Sequence, residues 1–135
     1  MNEPAPRPRA TLRRGNRLIT QRHFRRVYQR GRRASGKWMT VVAFSDRRAR
    51  DEAEAPVRVG LSVSKDHGGA VRRNKLKRLL REAFRLERHR LPAGVDIVLI
   101  PQQRDDRFPL AELRTELVGL VQRALAGGGG RNSRR

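Results

Sequence analysis

No cysteine occurs among the 135 residues, which excludes a disulfide framework and a thiolate metal site. Long apolar runs are missing as well. The longest, Val41–Phe44 and Ile97–Ile100 at four residues each, fall far short of the roughly 20 residues a membrane helix needs. Residues 1–10, "MNEPAPRPRA", hold no apolar stretch of the kind a secretory signal requires. Together these absences are read as a soluble, cytoplasmic protein with no membrane span. No internal repeat is visible. The three histidines, His23, His67 and His89, show no metal-ligand spacing. No nucleophile stands beside a base in a supporting context, so no catalytic residue and no metal ligand is expected of the polypeptide.

Acid is the scarcity with the widest consequence. Asp and Glu number 13 against 33 Lys and Arg, a formal charge of +20. Such an imbalance speaks about partners rather than fold, and the partners it suits are polyanions. The acids Asp51, Glu52 and Glu54 cluster in one polar connection, which reads as a solvated loop.

The length suits one modest domain. Residues 1–10 cannot bury much surface and read as a disordered basic tail. Residues 127–135, rich in Gly and Arg, read as a second flexible tail. Between them, residues 11–126 form the expected single α/β domain. "RLITQRHFRRVYQRG" reads as a short helix. Thr20 suits its N-cap, Ile19 and Phe24 suit a hydrophobic staple, and Gly31 suits its end. Phe24, Val27 and Tyr28 share one face. The stretch 37–45, "KWMTVVAFS", alternates as a strand with two apolar faces. Trp38, Thr40, Val42 and Phe44 fall on one, and Met39, Val41 and Ala43 on the other. Residues 57–64 alternate as a half-buried strand, with Arg58, Gly60, Ser62 and Ser64 outward. "GVDIVLI", 94–100, is a further buried strand. Pro109 suits a first helical turn, followed by a stripe of Leu110, Leu113, Leu117, Leu120 and Val121. The order is α, β, β, α, β, α, with room for one more short strand at 33–36.

Residues 72–90 carry the main functional signal. On a helical wheel Leu76, Leu79, Leu80, Ala83 and Phe84 fall together, while Asn74, Arg78, Arg81, Arg85 and Arg88 fall opposite, flanked by Lys75 and Lys77. Burial of the large apolar side chains contributes about 1.5–3 kcal/mol each. Repulsion within a like-charge i,i+4 pair costs only a few tenths of a kcal/mol. Packing therefore wins and the helix forms on a sheet. Charged helix faces are usually just solvated, but they mix signs. Here nine Lys or Arg stand against Glu82 and Glu87, an array that counterion release rewards on a polyphosphate. A membrane surface would need the same leucines that the core requires. His67 and the Gly68–Gly69 pair before this helix could touch phosphate; an exposed loop histidine and ordinary turn geometry are the default readings.

"GLSVSKDHGGAVRRNKLKRLLREAF", 60–84, resembles the signature of the bacterial ribonuclease P protein component. That signature is a strand ending in Val63, Ser64 and Lys65, a loop with Gly68 and Gly69, then Ala70 and Val71, and Arg73, Asn74 and Lys75 opening a basic helix. Lys77, Arg78 and Arg81 continue the match. The upstream helix resembles the family's first helix, and the likeness runs over residues 12–125.

The resemblance implies an α+β fold. Its form is a two-layer α/β sandwich with an approximately four-stranded sheet and three helices, ribosomal protein S5 domain 2-like, with a left-handed β-α-β crossover against the usual hand. It also implies the protein subunit of a ribonucleoprotein that removes the 5′ leader of precursor tRNA. In that particle the catalytic centre and its Mg²⁺ lie in the RNA subunit, bound one to one, and the protein alone binds no cofactor. Carried over, the contacts to the RNA subunit are Lys65, Arg72, Arg73, Asn74, Lys75, Lys77, Arg78, Arg81 and Arg85. The leader cleft is Phe24 and Tyr28 on one wall, with Trp38, Val42 and Phe44 on the other. Unpaired bases stack on such rings, although Phe24 and Tyr28 also suit an ordinary core. Three departures stand out. Lys75 stands where Arg is common and loses bidentate geometry. Asp66 follows Lys65 where a Lys or an apolar residue is usual. Val42 stands where some relatives carry an aromatic. The rival readings are a non-catalytic RNA-binding assembly protein of ribosomal type and a DNA-binding module that uses the basic helix in a major groove.

Overall fold

The computed structural model describes residues 21–45, 56–104 and 107–127. Thr20, Ile19, the loop acids Asp51, Glu52 and Glu54, and nearly all of both expected tails lie outside them. Helix α1 spans Gln21–Arg30. Strands β1 (Arg32–Ser35) and β2 (Met39–Ser45) follow as a hairpin. Strand β3 is Arg58–Leu61, helix α2 is Ala70–Glu87, strand β4 is Val95–Pro101, and helix α3 is Leu110–Ala126. Short 3₁₀ turns precede and follow α2 at Lys65–His67 and Arg88–Arg90. The four strands form one mixed sheet in the order β1-β2-β4-β3, with β3 and β4 parallel and the other pairs antiparallel. The fold is thus α+β, and the possible strand at 33–36 is real as β1. No described helix is long and apolar enough to cross a membrane.

The two apolar faces of β2 are both used. Met39, Val41 and Ala43 join Val59, Ile97 and Leu99 in the main core, beneath Leu76, Leu80, Ala83 and Phe84 of α2 and Leu113, Leu117, Leu120 and Val121 of α3. Val42 and Val98 face the other way and are sealed by Val27 of α1, with Phe24, Phe44 and Ile100 around them. The sandwich of α2 and α3 on the sheet therefore carries α1 on its far face. Central strands covered on both sides read as continuous apolar runs, which is why β2 and β4 lack a clean alternation.

Gly31 ends α1, with its N–H donating to the Val27 carbonyl at 2.7 Å. A Cβ there would lie 2.5 Å from the Val27 carbonyl oxygen and 2.8 Å from that of Ala43, so only glycine lets the chain reverse from α1 into β1 so close to β2. The hairpin closes with the Gly36 N–H on the Met39 carbonyl at 2.9 Å. Glu116 of α3 holds its tip. The carboxylate accepts from the backbone N–H groups of Lys37, Trp38 and Met39 at 2.7, 2.8 and 2.9 Å.

Three sequence expectations are corrected. Trp38 does not share a face with Val42 and Phe44. The ladder starts at Met39, and Trp38 lies in the turn that Glu116 holds. It is 5% exposed in the main core, its ring tilted against Phe108 and its indole N–H on Glu112. His67 is no exposed loop residue; it is 6% exposed, with Nε2 at 3.3 Å from the Pro101 carbonyl. Strand β3 is shorter than expected and its second face is not solvated. Gly60 is buried, and Arg58 folds onto Asp96 of β4 through two hydrogen bonds of 2.8 Å.

Candidate nucleic-acid interface

Helix α2 is amphipathic as its periodicity predicts. Leu76, Leu80, Ala83, Phe84 and Glu87 are buried. Glu87, one of its two acids, is turned inward to Arg114 and Arg90, so it neutralises nothing on the outer face. Glu82 is paired instead with Arg85 through bonds of 3.0 and 2.8 Å. That hydrogen bond holds the Glu82 carboxyl below the usual range and raises Arg85 in turn. Near the amino end, Arg72 donates to the Arg104 carbonyl at 3.1 Å and Arg73 to the Gly68 carbonyl at 3.2 Å. Gly68 makes this turn at φ +121°. The side chains of Asn74, Lys75, Lys77 and Arg78 have no hydrogen bond or ion pair to any described residue. Val71, 83% exposed, stands among them. Lys75, Lys77 and Arg78 thus carry charge that no described carboxylate neutralises, on a helix whose opposite side is buried in the core, an arrangement whose counterions a polyphosphate would displace.

The second region is the seam between α1 and the sheet. Val27, Val42 and Val98 are fully buried beneath it. Phe24 and Phe44 are half-buried, and Tyr28 is 37% exposed. Asp96, 3% exposed, anchors the seam. It accepts from Arg58 of β3 and, at 3.1 Å, from Arg26 of α1. Guanidinium groups lie over the rings: Arg26 and Arg30 over Phe44 at 5.5 and 5.7 Å, and Arg33 over Tyr28 at 5.9 Å. Burial, aided chiefly by the nearby Arg58 charge, lowers the pKa of His23 in this seam.

The Ribonuclease P family model matches residues 12–125. The chain belongs to the ribonuclease P protein family. The ribonuclease P protein component of Syntrophus aciditrophicus is 36% identical over 107 residues, covering 79% of this chain and 85% of its own length. That of Oleidesulfovibrio alaskensis is 43% identical over 96 residues, covering 70% and 73%. The solved RNase P protein of Thermotoga maritima superposes with a TM-score of 0.65 at 30% identity, over 78% of this chain and 96% of that one. The Staphylococcus aureus protein gives 0.64 at 26%, over 87% and 98%.

Within this family fold the expected site residues divide by geometry. Lys65, Arg72, Asn74, Lys75 and Arg78 are exposed at the 3₁₀ turn and along α2. Arg73, Lys77, Arg81 and Arg85 are partly exposed on the same helix. The charge of Arg85 is matched by Glu82. Across the sheet, Phe24 and Phe44 pack on the same buried valines, and Tyr28 stands exposed one turn further along α1. Trp38 is on the opposite side. Val42 is sealed under Val27 and forms the floor of the seam, not its surface.

Reading the sequence missed Asp96, Glu116 and the arginines seated on rings. Asp96 left one trace, a lone acid inside the buried run "GVDIVLI"; a charge there demands a partner. The pairing of Arg26 with Asp96 spans 70 residues and leaves no local pattern. The described residues contain no group of three or more His, Asp or Glu that could hold a metal ion.

Proposed function

We propose that this chain is the protein subunit of a ribonuclease P ribonucleoprotein. The outer face of α2, with the 3₁₀ turn before it, binds the RNA subunit. The seam between α1 and the sheet receives the single-stranded 5′ leader of precursor tRNA. The RNA subunit, with its Mg²⁺, supplies the chemistry of leader removal. The protein's part is to bind, to orient and to offset phosphate charge. One observation carries the reading: Asn74, Lys75, Lys77 and Arg78 stand without described internal partners on a helix whose opposite side is locked into the core. Phosphates binding there displace counterions rather than break existing ion pairs. Family membership supports the same assignment.

Reconstitution tests it. Added to a ribonuclease P RNA at low Mg²⁺, the protein should stimulate cleavage of precursor tRNA at the mature 5′ end and favour precursor over mature tRNA in binding. RNA binding without any stimulation would return the chain to the ribosomal-type assembly reading. Tighter binding to duplex DNA than to folded RNA would favour the DNA-binding alternative.

A further inference from the structure

We infer that Arg30 and Arg33 are phosphate-reading residues of the α1–sheet seam, and that Phe44 and Tyr28 serve them as seats rather than as bare stacking platforms for bases. The inference rests on the seam being the leader site. Its observation is a reciprocal exchange across the seam: Arg30 of α1 lies over Phe44 of β2, while Arg33 of β1 lies over Tyr28 of α1. Arg33 pairs in register with Val42, which turns it to the α1 side of the sheet. Both arginines are exposed, and neither meets a carboxylate among the described residues.

Charge on this face is one-sided. Asp96 is the only described acid on it, and Arg58 and Arg26 occupy both its oxygens. Arg26 is thus committed to the fold, whereas Arg30 and Arg33 remain available. A guanidinium that lies over a ring and meets no carboxylate keeps its N–H donors available, where a phosphate can meet them. The ring also limits the rotamers the arginine must give up on binding, which is preorganisation. Phe24, by contrast, has no cation over its ring among the described residues and remains the surface suited to a base. A leader held this way is gripped at Tyr28 and Phe44 through its backbone, so the grip there tolerates any leader sequence.

The test uses the reconstituted ribonucleoprotein. Affinities for precursor and mature tRNA are measured across a salt series, and their ratio isolates the leader's contribution. In Arg30→Gln/Arg33→Gln, that contribution should lose roughly 0.7 of log–log salt slope per arginine, with mature tRNA and RNA-subunit affinity unchanged. Arg30→Lys/Arg33→Lys should restore the slope, and a leader with abasic nucleotides should retain the arginine-dependent part. Circular dichroism confirms that these exposed substitutions leave the fold intact. An unchanged slope in the glutamine variant, an equal loss with mature tRNA, or a loss of RNA-subunit affinity would each overturn the inference. A wild type that binds precursor and mature tRNA alike would sink the leader reading and this inference with it. Discrimination by the wild type with no slope change in the variant sinks this inference alone.

Discussion

Helices α2 and α3 lie side by side on one face of the sheet, and each buries a leucine-rich stripe in the same core. Their charges are used in opposite ways. In α3 each of the four charged side chains is spent inside the protein. Glu116 holds the hairpin tip, Glu112 takes the indole of Trp38, Arg114 meets Glu87, and Arg123 donates to the Ser35 carbonyl at 3.0 Å. In α2 the run Asn74, Lys75, Lys77 and Arg78 serves no described group, and Glu87 is withdrawn into the core. Two helices of the same packing class thus divide the work. The charges of α3 complete the fold, while Lys75, Lys77 and Arg78 of α2 meet no described group. Charge density alone does not separate these roles; tracing each group's hydrogen bonds does.

The contrast can be broken first at Glu116. Glu116→Ala removes the acceptor of three backbone N–H groups, two of them partly buried. Hydrogen bonds to a charged group contribute about 1.5–3 kcal/mol, so urea unfolding should show a loss of about 2–3 kcal/mol. Arg78→Ala on α2 should stay within about 0.5 kcal/mol of wild type. Equal losses would erase the distinction between the helices. A smaller effect sharpens it at Glu82, the one outer-face acid of α2 that does pair. Its carboxyl is held low by the Arg85 hydrogen bond, so the pair's contribution is present above the ordinary Glu range and fades as pH falls through the lowered value. Exposed helix pairs of this spacing contribute about 0.3–0.5 kcal/mol. Glu82→Gln should be less stable by no more than that at neutral pH, and the difference should vanish in acid. A difference that grew in acid would contradict the assignment.

Much of this was legible in the sequence. The 3.6-residue spacing from Leu76 to Phe84 and from Leu113 to Val121 locates the inner faces of α2 and α3, and the double apolar character of 39–45 announces a strand covered on both sides. What was not legible depends on long-range contact. Trp38 was assigned the wrong face because alternation was counted from inside the hairpin turn, where Glu116, far along the chain, sets the geometry. His67 looked like a loop residue because its burial depends on Pro101, 34 positions away. The aromatic candidates were read as stacking surfaces for bases or as ordinary core, with no cation expected over them. The arginines that lie over Tyr28 and Phe44 come from a neighbouring element in each case, and no local spacing encodes that.

The central claim is that the outer face of α2, and not that of α3, is the surface the RNA subunit neutralises. Equilibrium binding of a ribonuclease P RNA across a salt series tests it directly, comparing wild type with Lys75→Ala/Arg78→Ala on α2 and Thr115→Ala/Gln122→Ala on the exposed side of α3. The α2 variant should bind more weakly, with a log–log salt slope shallower by roughly 0.7–0.9 per residue removed, and the α3 variant should match wild type. Unchanged slope and affinity in the α2 variant would contradict the account.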